Sequence, residues 1–307
     1  MAKIVESREL LFKVPGGVIS AQEWQQTPNP TRKVILLPGR QDSSNSFRSL
    51  VPLLPREWLM VAMEFPGDGL STRKPPGAAY HMTDRLLDLK RVLKQLGWTR
   101  FTIIGHSMGA GLGQVYAALF PEEVEALVSL DVLKQMSENP ANTVQGLRKA
   151  YATLETYNED VEEESFAKEK AADWYFEKNV QQIATMKNAD LISREALAVI
   201  LDRNIRQLHG DQYVLRRDPR IAFPPIVRTS ADQHREIYNA IKTDHLFIRN
   251  LKSTAWEPAL EKEFIEIYNK NCSRFVYKEV DAMHHAHLDH PELVAPIITE
   301  FLGSSVA

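Results

Sequence analysis

Cysteine is almost absent: Cys272 stands alone in a chain of 307 residues. One thiol cannot form an internal disulfide, so a disulfide framework is excluded and a reducing compartment is the simpler expectation. With neither glycine nor histidine beside it, Cys272 reads as packing rather than as a nucleophile. Long apolar runs are missing as well. No stretch approaches the roughly 20 residues that cross a bilayer, and Met1 to Leu10 scatters charges where a secretory leader would have an apolar core. The tail, Gly303 to Ala307, carries neither a peroxisomal signal nor a lipidation box, and a cytoplasmic location is expected. Charge of one sign is also lacking. With 37 Lys and Arg against 40 Asp and Glu, the net charge of −3 offers no hold on nucleic acid or an anionic membrane. Internal repeats and low-complexity segments are absent. The 44% of hydrophobic residues is enough for a buried core of ordinary size.

What is present centres on Phe101-Thr102-Ile103-Ile104-Gly105-His106-Ser107-Met108-Gly109-Ala110. The apolar, β-branched run reads as a buried strand, and Ala110 to Phe120 carries small and apolar residues at helical spacing. Strand, Gly-x-Ser-x-Gly, helix is the setting in which this motif forms a nucleophile elbow. The turn strains the serine and presents its oxygen at the positive end of a helix. Gly105 and Gly109 are then small because side chains there would strike the neighbouring strand and helix. A serine hydrolase is the reading.

Around this stretch, strands and helices alternate. Arg8 to Val14 and Val18 to Gln25 form a hairpin across Pro15-Gly16-Gly17. Strands follow at Lys33 to Leu37 and Trp58 to Phe65, with a short helix over Phe47 to Leu54 between them. Leu86, Leu89, Val92, Leu93 and Leu96 mark an amphipathic helix over Tyr80 to Leu96. Val124 to Leu130 is the sixth strand. From about Lys134 to Pro225 the texture changes to helices, at Ala141 to Tyr157, Ser165 to Lys187 and Ser193 to Leu208, with no strand before Tyr213. The acidic run Glu159 to Glu164 within it reads as a solvated helix start. A helix over Arg228 to Lys242, a strand at Asp244 to Leu251, a helix at Glu257 to Lys270, a strand at Ser273 to Val280 and a helix from Pro291 to Leu302 close the chain. The fold class is therefore α/β. A mostly parallel, doubly wound sheet is built from residues 1–133 and 226–307, with a helical cap, 134–225, inserted after the sixth strand. Ligands of such sheets bind beyond the carboxyl ends of the strands, so the loops after Leu37, Phe65, Ile104 and Leu130 define the site.

A serine hydroxyl needs a base. The loop after the last strand, Met283 to His290, holds four of the nine histidines. His284, first after the strand, is the favoured base and His285 the alternative; His287 and His290 read as packing or solvent-facing. The cluster also raises a metal reading, with His284 and His287 sharing a ligand set. No second Cys/His cluster supplies the remaining ligands, so no metal is expected. The acid that orients the base follows the sixth strand directly, as Asp131. The strand at Asp244 to Leu251 has no acid at its end, which leaves Glu257 as the alternative. Two backbone N–H groups should hold an oxyanion, one from Met108 and one from the loop after Leu37, by Arg40 or alternatively Gln41. The Arg40 side chain could bind a substrate carboxylate, though pairing with Asp68 or Glu64 is favoured.

These residues resemble a family. Leu37 to Asp42, Pro66 to Ser71 with Pro75-Pro76-Gly77, Tyr80-His81, Gly97-Trp98, Gly105 to Gly109, Arg216-Arg217-Asp218-Pro219-Arg220 and the His284 loop ending in His290-Pro291-Glu292 are similar to the α/β-hydrolase superfamily, serine hydrolase-like (kraken-type) branch. The resemblance spans about Val34 to Leu302. It implies the α/β-hydrolase fold and metal-independent ester hydrolysis through an acyl-enzyme, without a cofactor. In the superfamily the base stands seven residues before the proline that opens the last helix, which from Pro291 is His284. Three positions depart from the usual pattern: Pro38 and Asp68 stand where histidines are usual, and Met283 where a small residue precedes the base. Dehalogenases and epoxide hydrolases of this architecture use an aspartate nucleophile, and Ser107 argues against both.

The leading expectation is thus a carboxylic ester hydrolase with Ser107 as nucleophile, His284 as base and Asp131 as orienting acid. Trp174, Tyr175, Phe176 and Met186 of the cap would form an apolar wall, although such a cluster also reads as core. The expected partner is a small, apolar ester, with no nucleic acid, no membrane span and no defined oligomeric state. The alternatives are a carbon–carbon or amide hydrolase using the same triad, and a catalytically weak binding protein or receptor on the same scaffold.

Overall fold

The computed structural model describes residues 5–157, 164–184, 192–223, 225–226, 229–253 and 258–303. Met186, Glu257 and the acidic run from Glu159 to Glu163 lie outside these residues. The chain opens with the hairpin β1 (Arg8–Val14) and β2 (Gly17–Trp24), followed by β3 (Arg32–Leu37) and β4 (Trp58–Met63). The helix expected between β3 and β4 is instead two 3-10 turns, Ser44–Phe47 and Val51–Leu53. Pro52, which has no N–H to give and crowds the preceding turn, works against a continuous α-helix there. Next come α1 (Met82–Leu96), β5 (Phe101–His106), α2 (Met108–Leu119) and β6 (Val124–Leu130).

The segment after β6 holds α3 (Thr143–Thr156), β7 (Phe166–Ala167), α4 (Ala171–Ala184), α5 (Arg194–Asn204), β8 (Ile205–His209) and β9 (Gln212–Leu215). It is not wholly helical, contrary to expectation. The expected helix over Ser193 to Leu208 stops at Asn204, and β7, β9 and β8 pair as a small antiparallel sheet. The cause is local: His209 pairs with Gln212 across Gly210-Asp211, and Gly210 takes the positive φ, 52°, of a tight hairpin turn. The chain then returns through α6 (Ala231–Asn239), β10 (Asp244–Asn250), α7 (Pro258–Asn271), β11 (Phe275–Val280), the one-turn helix α8 (Ala286–Asp289) and α9 (Pro291–Gly303).

The main sheet has eight strands in the order β1-β2-β4-β3-β5-β6-β10-β11. From β4 to β11 every neighbouring pair is parallel; only β1/β2 and β2/β4 are antiparallel. Successive strand residues face opposite sides, and here both sides are apolar. Ile35, Leu37, Ile103 and Leu127 pack with Leu89, Val92 and Leu93 of α1 and Leu112 and Tyr116 of α2. Val34, Leu36, Ile104 and Val128 pack on the other side with Val294, Ile298 and Phe301 of α9. Helices therefore cover both faces, and the polar loops gather at the carboxyl ends of the parallel strands. Cys272 packs half-buried against the first core, where burial pushes its thiol up to about 12. No helix among the described residues is long and apolar enough to cross a membrane.

Candidate active site

Ser107 stands between β5 and α2 with φ 52° and ψ −117°. A non-glycine residue with such a φ is strained by about 1–3 kcal/mol, and the fold must hold it there. Its N–H donates to the Leu130 carbonyl at 3.1 Å and its own carbonyl accepts from Gly111 N at 3.2 Å. The two elbow glycines are needed for space. A Cβ on Gly105 would come within 2.5 Å of the Gly109 carbonyl oxygen, and one on Gly109 within 2.1 Å of the Leu37 carbonyl oxygen. The Met108 N–H, first in α2, has no intrahelical acceptor and points out of the positive end of the helix.

Asp131 follows β6 immediately, also with a positive φ of 59°. It is 1% exposed, and both of its oxygens are engaged: Oδ1 accepts from Asn250 N at 2.9 Å, and Oδ2 lies 2.5 Å from His284 Nδ1. A carboxylate can only accept, so His284 carries its hydrogen on Nδ1 and leaves Nε2 as the basic nitrogen. The loop that presents His284 is held from below. Asn250 Nδ2 donates to the carbonyls of Met283 at 2.8 Å and His284 at 3.1 Å, and Ser253 Oγ lies 3.4 Å from His284 Nδ1. Asn250 ends β10, at the place where the sequence offers no acid. Its amide and backbone N–H instead tie Asp131 and the histidine loop together.

His285 turns away from Asp131. Its Nε2 lies 3.3 Å from Asp42 Oδ1. Asp42 Oδ2 lies 3.3 Å from His106 Nδ1 and accepts from Gly39 N at 3.2 Å, while His106 Nε2 lies 3.0 Å from the His284 carbonyl. Burial pushes Asp42 up, but His285 and His106 outweigh it and hold the carboxyl well below its usual range. Burial takes the His106 imidazole down to about 3, so that ring is neutral. His287 is buried against His106, with ring centres 4.2 Å apart, and burial holds its imidazole well below its ordinary value. His290 faces solvent beside Glu292. Asp42, His106 and His285 thus bring three metal-ligand atoms within 4.8 Å of one another. Sequence reasoning sought such a set inside the histidine loop and missed it, because two of its members lie far upstream on β5 and on the loop after β3.

The loop after β3 is a tight turn in which Asp42 N donates to the Gly39 carbonyl and Gln41 takes φ 71°. Tyr175 of α4 donates to Gln41 Oε1 at 3.3 Å and itself accepts from Arg217 Nη1 at 2.7 Å. Asn204, at the end of α5, reaches the Gln41 carbonyl and accepts from Gly69 N at 2.7 Å. Arg40 is exposed; Glu64, a partner considered for it, is instead engaged by Arg203, Ser44 and the Leu70 N–H. The Arg216 to Arg220 segment is hydrogen-bonded to the loop between β4 and α1. Asp218 accepts from Tyr80 and Arg220, and Arg220 donates to the carbonyls of Lys74, Pro75 and Ala78. An open groove of about 650 Å³ lies beside the histidine loop, lined by Phe176, Ile192, Val199, Met283 and Leu288 among others. Its lining includes none of Ser107, Asp131 and His284, so it borders the site rather than holding its centre.

Asp68, in the position where a histidine is usual, is 1% exposed, and neither carboxylate oxygen has a hydrogen-bond partner among the described residues. Burial outweighs the nearby Arg85 and Arg217 and pushes its carboxyl up from 3.8 to about 8. Between these values the folded chain holds a proton that the unfolded chain has lost. The contribution of Asp68 to stability therefore falls as the pH rises from about 4 to about 8 and levels off above. Asp68→Asn is expected to remove this slope, at most about 1.4 kcal/mol per pH unit. The variant's melting temperature then exceeds the parent's by more at pH 8 than at pH 5. Equal differences at both pH values would refute the assignment.

A sheet of this order, with a strained serine between its fifth strand and the next helix, has α/β-hydrolase architecture. The alpha/beta hydrolase fold family model matches residues 33–190. A serine hydrolase-like protein of Danio rerio is 31% identical over 296 residues, which cover 96% of this chain and 88% of that protein. Serine hydrolase-like protein 2 of Homo sapiens is 28% identical over 305 residues, 96% of this chain and 93% of that one. Among solved structures, a hypothetical protein of Pseudomonas aeruginosa PAO1 superposes with a TM-score of 0.79 at 26% identity, covering 96% and 99% of the two chains. The chain belongs to the α/β-hydrolase family and, within it, to the serine hydrolase-like proteins.

Proposed function

We propose that this chain hydrolyses carboxylic esters through an acyl-enzyme formed on Ser107. The observation that carries the reading is the 2.5 Å contact of His284 Nδ1 with Asp131 Oδ2, on the sheet edge that also carries the strained serine. With its hydrogen held on Nδ1 by Asp131, His284 takes the Ser107 proton on Nε2 as the hydroxyl oxygen bonds to the acyl carbon. The Met108 N–H and one from the Arg40–Gln41 turn hold the negative charge that develops on the acyl oxygen. His284 returns the proton to the leaving alcohol, and water, activated by the same nitrogen, then releases the acid. The scheme uses side chains, backbone and water, and calls on no cofactor.

In this reading residues 134–225 act as a lid over the strand ends. The hydrogen bonds from Tyr175 and Asn204 to Gln41, and those that tie Asp218 to Tyr80 and Arg220 to the Lys74, Pro75 and Ala78 carbonyls, support that role. Phe176, Val199 and Met283 offer apolar surface beside the base loop, which favours a small apolar acyl or alkyl group. The test is turnover of p-nitrophenyl acetate and butyrate by the purified chain. We expect turnover that Ser107→Ala abolishes. A folded parent protein without turnover, or an equally active Ser107→Ala variant, would contradict the reading.

A further inference from the structure

We propose that Asp42, His106 and His285 form a binding site for a divalent transition-metal ion of the zinc class, and that its occupation switches the ester hydrolase off. The second half rests on the function proposed above; the first does not.

The hydrogen-bond pattern of His106 is the starting point. The ring is 1% exposed and meets an oxygen at each nitrogen: the His284 carbonyl at Nε2, 3.0 Å away, and Asp42 Oδ2 at Nδ1, 3.3 Å away. A histidine that ligates a metal through one ring nitrogen donates its other N–H to a carbonyl or carboxylate. His106 is placed for this, with Nε2 at the His284 carbonyl and Nδ1 turned to Asp42.

The spacing agrees. Asp42 Oδ2 stands 3.3 Å from His106 Nδ1, and its other oxygen, Oδ1, stands 3.3 Å from His285 Nε2. Ligand atoms about 2.0–2.1 Å from a tetrahedral zinc lie about 3.4 Å apart. All three ligand atoms fall within 4.8 Å of one another, and binding draws the wider pairs in toward that spacing. Two imidazoles and one carboxylate favour zinc, copper or nickel over magnesium or calcium. Three protein ligands leave a fourth position for water. The fourth imidazole of the neighbourhood, on His287, packs against His106 with a buried Nε2 that has no hydrogen-bond partner among the described residues.

Such an ion would tie together the three segments that make the active site. Asp42 braces the oxyanion turn through Gly39 N, His106 precedes Ser107, and His285 follows His284. Drawing Asp42 Oδ2 to a metal weakens its bond to Gly39 N, and drawing His285 inward shifts the backbone that presents the base. The metal then acts by displacing the groups that position the reaction, not by joining it.

The experiment uses the full chain after treatment with EDTA. Zinc chloride is titrated into the parent and Ser107→Ala proteins against a colorimetric zinc indicator, and p-nitrophenyl butyrate turnover of the parent is followed in parallel. Expected is one zinc per chain in both proteins, with turnover falling at least tenfold at saturation and returning on addition of EDTA. His285→Ala weakens zinc binding by more than the roughly 100-fold that loss of an outer-shell partner costs, and its own turnover no longer responds to zinc. Asp42→Asn gives the same loss of binding, and circular dichroism confirms that both variants are folded. Magnesium binds to none of them. No zinc bound by Ser107→Ala, or zinc bound equally by His285→Ala, would overturn the site. One zinc at the site with turnover unaffected would overturn the switch while leaving the ester hydrolase reading intact.

Discussion

His284→Ala is expected to lower p-nitrophenyl ester turnover on the order of 10⁵-fold, and Asp131→Asn about 10⁴-fold, with both proteins still folded. The two effects differ because the residues act at different removes. Loss of His284 takes away the only nitrogen that, in this reading, accepts the serine proton. The side-chain amide of the Asp131→Asn variant can still accept from Asn250 N but presents its own hydrogens where Nδ1–H now points. The imidazole then favours the tautomer that has no lone pair toward the serine. His285→Ala separates the candidates for base: His285 faces Asp42 and not Asp131, so that variant retains turnover. Activity kept in His284→Ala and lost in His285→Ala would reverse the assignment.

The second large effect concerns stability. Arg203→Met is expected to destabilise the chain by about 3–5 kcal/mol, read as the midpoint of urea unfolding. Arg203 lies in the last turn of α5 and is 8% exposed. It donates from Nε to Glu64 Oε1 at 2.6 Å and from Nη1 to Glu9 Oε1 at 2.6 Å, so one guanidinium joins the segment after β6 to β1 and to the end of β4. Methionine fills most of the same volume but leaves Glu64 fully buried without this countercharge, keeping only its bonds from Ser44 and the Leu70 N–H. The desolvation of that charge is what the variant would expose. Glu64→Gln in the Arg203→Met background should recover part of the loss, since it removes the unpaired charge. A midpoint within experimental error of the parent would show that the cluster contributes nothing.

Much of the frame is legible in the chain because it is local. Phe101 to Ala110 carries strand, turn and helix in one stretch, and the apolar neighbours Val34-Ile35-Leu36-Leu37 announce a strand buried on both sides. The miss between Phe47 and Leu54 is also local, since Pro52 could have warned against a regular helix. The small sheet after β6 hides for a different reason. Phe166–Ala167 is too short to show alternation, and Ile205–His209 continues the apolar spacing of α5 without a break. At the site, Asp131 and His284 could be named from their positions after strands, because topology fixes where such positions fall. Asn250 could not, as its role depends on a bond to Asp131 across the sheet and on two carbonyls of the histidine loop. The Asp42, His106 and His285 cluster is of the same kind: its three members are gathered only when β3 pairs with β5 and the last loop folds back over both.

The most direct test of the central claim, an activated Ser107, is incubation of the folded chain with a fluorophosphonate probe, followed by intact mass and peptide mapping. The account predicts one adduct per chain, mapped to Ser107, formed quickly in the parent and not in His284→Ala. A folded protein that gains no adduct, or an adduct mapped to another serine, would contradict it.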